Sequence, residues 1–474
     1  MIRSVSIVTV AALAVASPAA AQAMHDHSQA EQAQPMRDQP MQGHDMQSPA
    51  THDDQQQQQT PQEQVPPDRH NHGAMGGMSA EEHAAMMGSM TAALGPYPMS
   101  REASGTSWQP DVSEHGGIHV HNGPWMLMGH ALINGVSDWQ EGPRGDEKAF
   151  ISGMVMGAAR RDLANGDALN FRAMLSPDPF MGRSGYPLLF AAGETANGVD
   201  PLIDRQHPHD LFMELSASYA HRLGEHSSLY VYGGLPGEPA FGPPAFMHRL
   251  SAMDSPEAPI SHHWLDSTHI TFGVLTAGFV HDDWKLEVSQ FRGREPDEHR
   301  YDIETGALDS TSVRVSWNPT PNWALQASWA DITSPEALNP DEDEERLSAS
   351  AIYTQPIGEG GWWSATLAFG EKERSDGVSL DAWLSEAAWH PNQSWTVFAR
   401  GEAIETDELG AVPHGPVENV QRLSLGAIHD WRISEHAVFG VGALVQQHFA
   451  SNALEPLYDG DPQGGMAFVR LKVG

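Results

Sequence analysis

From about Trp125 to the C-terminus the chain is a succession of segments of roughly ten residues in which apolar side chains occupy every second position. Nothing else in the sequence restricts the fold as much. In TSVRVSW, Val313, Val315 and Trp317 fall on one face and Ser312, Arg314 and Ser316 on the other. Trp323, Leu325, Ala327 and Trp329 oppose Gln326 and Ser328; near the end, Val469, Leu471 and Val473 oppose Arg470 and Lys472. Such segments are too short to be spanning helices, and in lipid a strand survives only in a closed sheet, where every backbone group is paired.

About sixteen such segments occur, near 125–135, 149–160, 167–175, 211–221, 227–234, 268–280, 283–292, 311–318, 322–332, 346–355, 361–371, 379–390, 394–404, 420–431, 436–448 and 466–473. They predict an all-β protein, a transmembrane antiparallel β-barrel. The connections support this: RLGEHS, HDD, NPTPN, PIGEG, HPNQ and RISEH are short, and those between them are longer and rich in Pro, Gly, Asp and Glu. Barrels of the bacterial outer membrane have short periplasmic turns and long external loops, which puts both chain ends in the periplasm. Trp284, Trp317, Trp323, Trp362, Trp363, Trp389, Trp395 and Trp431 crowd the short-turn side, as an aromatic girdle would. The chain ends in Val473 and Gly474 rather than the aromatic residue common in such barrels. A soluble sandwich or propeller is the alternative, but neither requires this alternation of loop lengths.

Residues 1–23 read as a secretory signal, with Arg3, an apolar stretch from Val5 to Val15 and small residues at Ala21 and Ala23. Residues 24–115 hold too few bulky apolar side chains for a core and are expected to be a disordered periplasmic segment, with the barrel over 120–474. The absence of cysteine excludes a lipoprotein anchor and disulfides. A formal charge of −36 argues against a nucleic-acid partner.

Methionine and histidine in a segment that cannot fold suggest metal capture, since thioether sulfur suits Cu(I) and imidazole suits Cu(II) and Zn(II). The candidate ligands there are Met24, His25, His27, Met36, Met41, His44, Met46, His70, His72, Met75 and Met78; the other reading is a plain linker. Strand alternation turns Met126, Met128 and His130 inward, then Met154 and Met156, then Asn170, Arg172 and Met174. These form a soft-ligand wall, or apolar filler; a one-residue register slip would send them all into lipid.

Two long loops carry further candidates. One ends in DRQHPHD, with His207 and His209 flanked by Asp204 and Asp210. The other, near 235–267, contains Met247, His248, Met253, His262 and His263, with His269 just beyond. It joins the fifth and sixth strands, where porins of this strand count fold a constriction into the pore, so by analogy these histidines lie in the channel. They serve as metal ligands or as packing groups. The acidic run Asp341 to Glu345 reads as a solvated loop tip or a cation bridge to lipopolysaccharide. Arg172, Glu214, Lys285, Glu287, Arg314, Arg400 and Glu402 put both signs of charge on the inner face, which either lines water or locks the barrel by pairing.

The stretches DRQHPHDLFMELSASYAHRL, GEPAFGPPAFMHR, HHWLDSTHITFGVLTAG and REPDEHRYD resemble a family of bacterial outer-membrane barrels encoded beside copper and heavy-metal resistance systems. The Met/His-rich leader before a barrel is also similar to the architecture of the copper resistance protein B family. The resemblance implies an outer-membrane protein that binds copper ions and sequesters or exports them, with periplasmic copper carriers as partners alongside outer-membrane lipid. The alternative is a porin for small organic solutes with no metal role. No G-x-S-x-G or comparable motif marks an enzyme, although His429 falls oddly on the lipid face. Porins of this size are often trimers, but the sequence shows no interface.

Overall fold

The computed structural model describes residues 90–113, 116–358, 360–410 and 414–474. The leader and the candidate ligands from Met24 to Met78 lie outside the described residues. The strands are β1 (Ile118–Asn122), β2 (Trp125–Gln140), β3 (Glu147–Asp162), β4 (Ala168–Leu175), β5 (Tyr186–Thr195), β6 (Pro201–Gln206), β7 (Phe212–Arg222), β8 (Ser227–Gly234), β9 (Val274–His281) and β10 (Trp284–Phe291). They continue as β11 (Ser310–Trp317), β12 (Trp323–Ile332), β13 (Glu344–Ile357), β14 (Gly361–Arg374), β15 (Ser379–Asn392), β16 (Trp395–Thr406), β17 (Glu418–Ser434), β18 (Ala437–Phe449) and β19 (Gln463–Val473).

All but β1, β5 and β6 form one closed antiparallel barrel of sixteen strands, each paired with the next in sequence. It closes where β19 runs along β2, with Gly464 opposite Gln140 and Val473 opposite Ala131. The hairpin partner β1 takes the rest of that edge, pairing with Trp125 to Gly129. The last residue is tightly placed at this juncture: a Cβ on Gly474 would come within 2.8 Å of the Gly117 nitrogen.

Burial alternates along the strands as the sequence pattern requires. Leu367, Leu425 and Val445 stand 55%, 56% and 60% exposed on the outer face, an apolar band that only lipid can cover. Trp284 stacks on Trp317 with ring centres 4.9 Å apart, and Trp323, Tyr353 and Trp363 continue the girdle at 4.7 and 4.9 Å. His429 does lie on the outer face, between Trp395 at 4.6 Å and Trp431 at 4.3 Å, so it belongs to this girdle. Trp362 does not: it points inward beside His390, and Trp363 takes the outer position. Trp139, Trp329 and Trp383 are exposed near the long-loop ends, marking the opposite interface. These features define a membrane-spanning barrel of the outer-membrane type.

Residues 90–113, expected to belong to the unfolded segment 24–115, are folded. Residues 90–113 are packed among inward-facing side chains, with Ala92, Leu94, Tyr97 and Trp108 buried against Tyr230, Tyr232, Val280 and Phe291. The acidic run also divides: Asp341, Asp343 and Glu345 are exposed, whereas Glu344 turns in to pair with Arg346 at 2.6 Å.

Candidate functional site

Inward-facing charges are paired rather than bathed in water. Glu287 binds Arg314 at 2.9 Å and Lys285 at 3.3 Å; Glu386 binds Arg400 at 2.9 Å; Glu402 binds Arg422 at 2.6 Å; Glu214 binds Arg172 at 2.8 Å. Arg314, Arg422 and Lys285 are no more than 1% exposed. Of the two arrangements open to a wall of mixed charge, the structure adopts pairing.

Two sets of inserts keep this wall dry. The first is the strap 90–113, caught largely by its backbone carbonyls. Arg172 donates to the Ala103 carbonyl at 3.3 Å and to that of Gly105, Lys285 donates to the Thr106 carbonyl, and Asn318 to the Gln109 carbonyl at 2.9 Å. Arg101 grips both oxygens of Asp111 at 2.6 and 2.7 Å and reaches Asp283, in the short turn between β9 and β10, at 3.0 Å. Its guanidinium also lies 4.8 Å from the Trp108 ring centre. Gly105 has φ +52°, and a Cβ there would approach the Glu238 Cβ to 2.6 Å, so only glycine suits this bend.

The second set comes from the long loops. The loop between β8 and β9 joins the fifth and sixth barrel strands and folds inward, as the porin analogy anticipated. Its Arg249 binds Glu386 at 2.9 Å and Asp266 at 2.8 Å; Ser261 donates to Glu402 at 2.8 Å; Asp254 pairs with Arg470. The loop before β7 forms the hairpin β5–β6, whose Leu188, Leu189 and Phe190 are buried in a core shared with the first loop and with β14 to β19.

Where these two loops meet, five imidazoles come together. Ring centres of His207, His262 and His263 form a triangle with sides of 5.5, 5.8 and 6.2 Å. His269 stands 5.2 Å from His262, and His209 stands 5.2 Å from His269. Each Nδ1 has an oxygen partner: Glu194 for His207 at 3.2 Å, Asp178 for His209 at 2.8 Å, Asp266 for His262 at 2.7 Å, Glu295 for His263 at 3.5 Å and the Asp266 carbonyl for His269 at 2.6 Å. The Nε2 atoms of His207, His209 and His269 are buried without a hydrogen-bond partner. Burial holds His207 and His269 well below the usual histidine range and lowers His262. Burial opposes the charge on His263 too, but the Glu295 carboxylate outweighs it and the pKa is raised. Burial also pushes Glu194 up to about 8 against the pull of Arg300.

His207, His209, His262 and His263 are thus brought near one another, and His248 lies in the same inserted loop as His262 and His263. Met126, Met128 and His130 keep the inward parity of Leu132 and Asn134 on β2, partly exposed toward the strand's start. Met154 and Met174 are buried inward with Met213, and Met156 and Met247 pack against them. This is a contiguous apolar cluster, consistent with methionine as filler. Among the histidines and carboxylates of the described residues, only Asp297, Glu298 and His299 have three potential ligand atoms all within 4.8 Å of one another, on an external loop. Sequence reasoning missed the strap and the carboxylates behind the imidazoles. HHWLD did carry one signal, because His262 and Asp266 are four apart on a single helical turn.

No known family's sequence profile matches this chain, and no curated protein matches it. Among solved structures it is similar in fold to an anion-selective porin from Comamonas acidovorans, at 10% identity, covering 73% of this chain and 99% of that one, TM-score 0.42. OmpF of Salmonella typhi, solved with daunomycin, is 11% identical over 75% of this chain and 100% of its own, TM-score 0.46. The outer membrane channel DcaP of Acinetobacter baumannii is 8% identical over 76% and 100%, TM-score 0.42.

Proposed function

We propose that the barrel is a porin-like outer-membrane channel for small organic solutes, held closed by the strap 90–113 and the loop between β8 and β9. The observation that carries this reading is the lumen wall: charges of both signs run along it, and their partners include the inserts as well as the wall itself. Water could replace each of those contacts if an insert withdrew. The reading gives the protein no catalytic role, places residues before the strap in the periplasm, and does not require copper.

The test is single-channel conductance in planar bilayers of the full chain and of a chain lacking residues 90–113, together with liposome swelling in small neutral solutes. The full chain is expected to be mostly closed, and the shortened chain to conduct in discrete steps and admit the solutes. A refolded barrel that conducts in neither form would overturn the reading.

A further inference from the structure

We propose that His207, His262 and His263 form a binding site for a divalent first-row transition ion, of the zinc or copper(II) class, through their Nε2 atoms. The proposal goes beyond the channel reading and stands without it.

Spacing is the first argument. An imidazole bound at about 2.0–2.1 Å has its ring centre roughly 3.2 Å from the metal, so rings at tetrahedral angles stand about 5.2 Å apart. The three rings here are 5.5, 5.8 and 6.2 Å apart, each side within about 1 Å of that spacing. Their nitrogens do not yet converge, and binding requires the rings to turn toward a common centre.

The second argument is what lies behind the rings. His262 Nδ1 is hydrogen-bonded to Asp266 at 2.7 Å, and carboxylate oxygens of Glu194 and Glu295 stand 3.2 and 3.5 Å from Nδ1 of His207 and His263. A carboxylate at Nδ1 is the arrangement that orients a metal-ligating histidine and leaves Nε2 to the metal.

The third argument is an unmet need. His207 is 8% exposed and its Nε2 has no partner, although buried ring nitrogens are nearly always paired. Beside His263 lies a small cavity lined by His263, Glu336, Lys372 and Glu408, with about 10 Å³ of free space, enough for one water.

The test uses the full chain in detergent, stripped with a chelator and titrated with Co(II) and then Zn(II). The wild type is expected to show the visible bands of tetrahedral nitrogen-bound Co(II), displaced by Zn(II). Both His207→Asn and the double variant His262→Ala/His263→Ala should lose those bands and one tightly bound ion. The control His226→Ala/His281→Ala, altered at an exposed turn, should keep both. His207→Asn removes Nε2 of a single ring and leaves His262 and His263 in place, so it decides the matter if the double variant fails to fold. A spectrum and stoichiometry unchanged in His207→Asn would overturn the proposal and place any bound metal elsewhere on the chain.

Discussion

Replacing Arg101 by alanine should release the strap. The side chain is buried, makes a two-pronged bond to Asp111, and lies over Trp108 and Tyr97 at 4.8 and 5.4 Å. Removing one member of a buried ion pair costs about 3–5 kcal/mol, because the partner is left without compensation. Asp111 is 13% exposed and bears most of that loss; Asp283 is 53% exposed, so its share is screened by water and small. At about 1.4 kcal/mol per decade, the undocked strap becomes more populated by about two to three and a half orders of magnitude. The assay is open probability in planar bilayers at fixed voltage and salt, with heat-modifiable gel mobility as the check that the barrel is folded. Arg101→Lys keeps the charge but loses the planar fork, and should fall between wild type and alanine. A folded Arg101→Ala barrel with wild-type open probability would refute the idea that this latch holds the strap.

Gly105→Val should act in the same direction, since it demands φ +52° of a branched residue and drives a Cβ into Glu238; protease cleavage within 90–113 would report it. Arg249→Ala leaves Asp266 buried without its arginine, while Glu386 keeps Arg400, so thermal unfolding followed by circular dichroism should show a loss of about 3–5 kcal/mol. Leu425→Arg puts a charge on the lipid face near mid-strand and should cost about 2–4 kcal/mol in reversible urea unfolding from vesicles, with no change in conductance.

The barrel was legible in the sequence because a period of two is dictated locally: once Val313 faces lipid, Arg314 must face the lumen whatever the rest of the chain does. The same logic placed Met154, Met156 and Met174 correctly, and put His429 outside. It also placed Trp363 on the lipid face; the error lay in counting its neighbour Trp362 in the girdle, because of two adjacent residues only one can face lipid. It failed more fully at the strap. Residues 90–113 have no period and few large apolar groups, and they are held by Arg172, Lys285 and Asn318 donating to backbone carbonyls, which every sequence possesses. The imidazole cluster fell between these cases. His207 and His262 were visible as candidates, but their meeting depends on two loops crossing inside the barrel, and no spacing rule spans 55 residues of loop and strand.

The paired wall bears on whether the closed lumen is permanent. A buried ion pair adds little to stability, since apolar side chains of similar volume commonly replace it without loss. Stability alone therefore does not explain why Glu386 is set between Arg249 and Arg400, all buried, when leucines and methionines would seal the barrel as well. A lumen that alternates between dry and wet does explain it: the charges pair when the loop is seated and hydrate when it is not. Replacing Glu386 and Arg400 together by Leu and Met, which leaves Arg249 its pair with Asp266, should then leave unfolding in urea within about 1–2 kcal/mol of the wild type. In a chain that also lacks the strap, the same double change should lower the conductance and weaken its ion selectivity. If the apolar double variant conducted as the strap-deleted parent does, the charges would have no part in an open state, and pairing would be their only role.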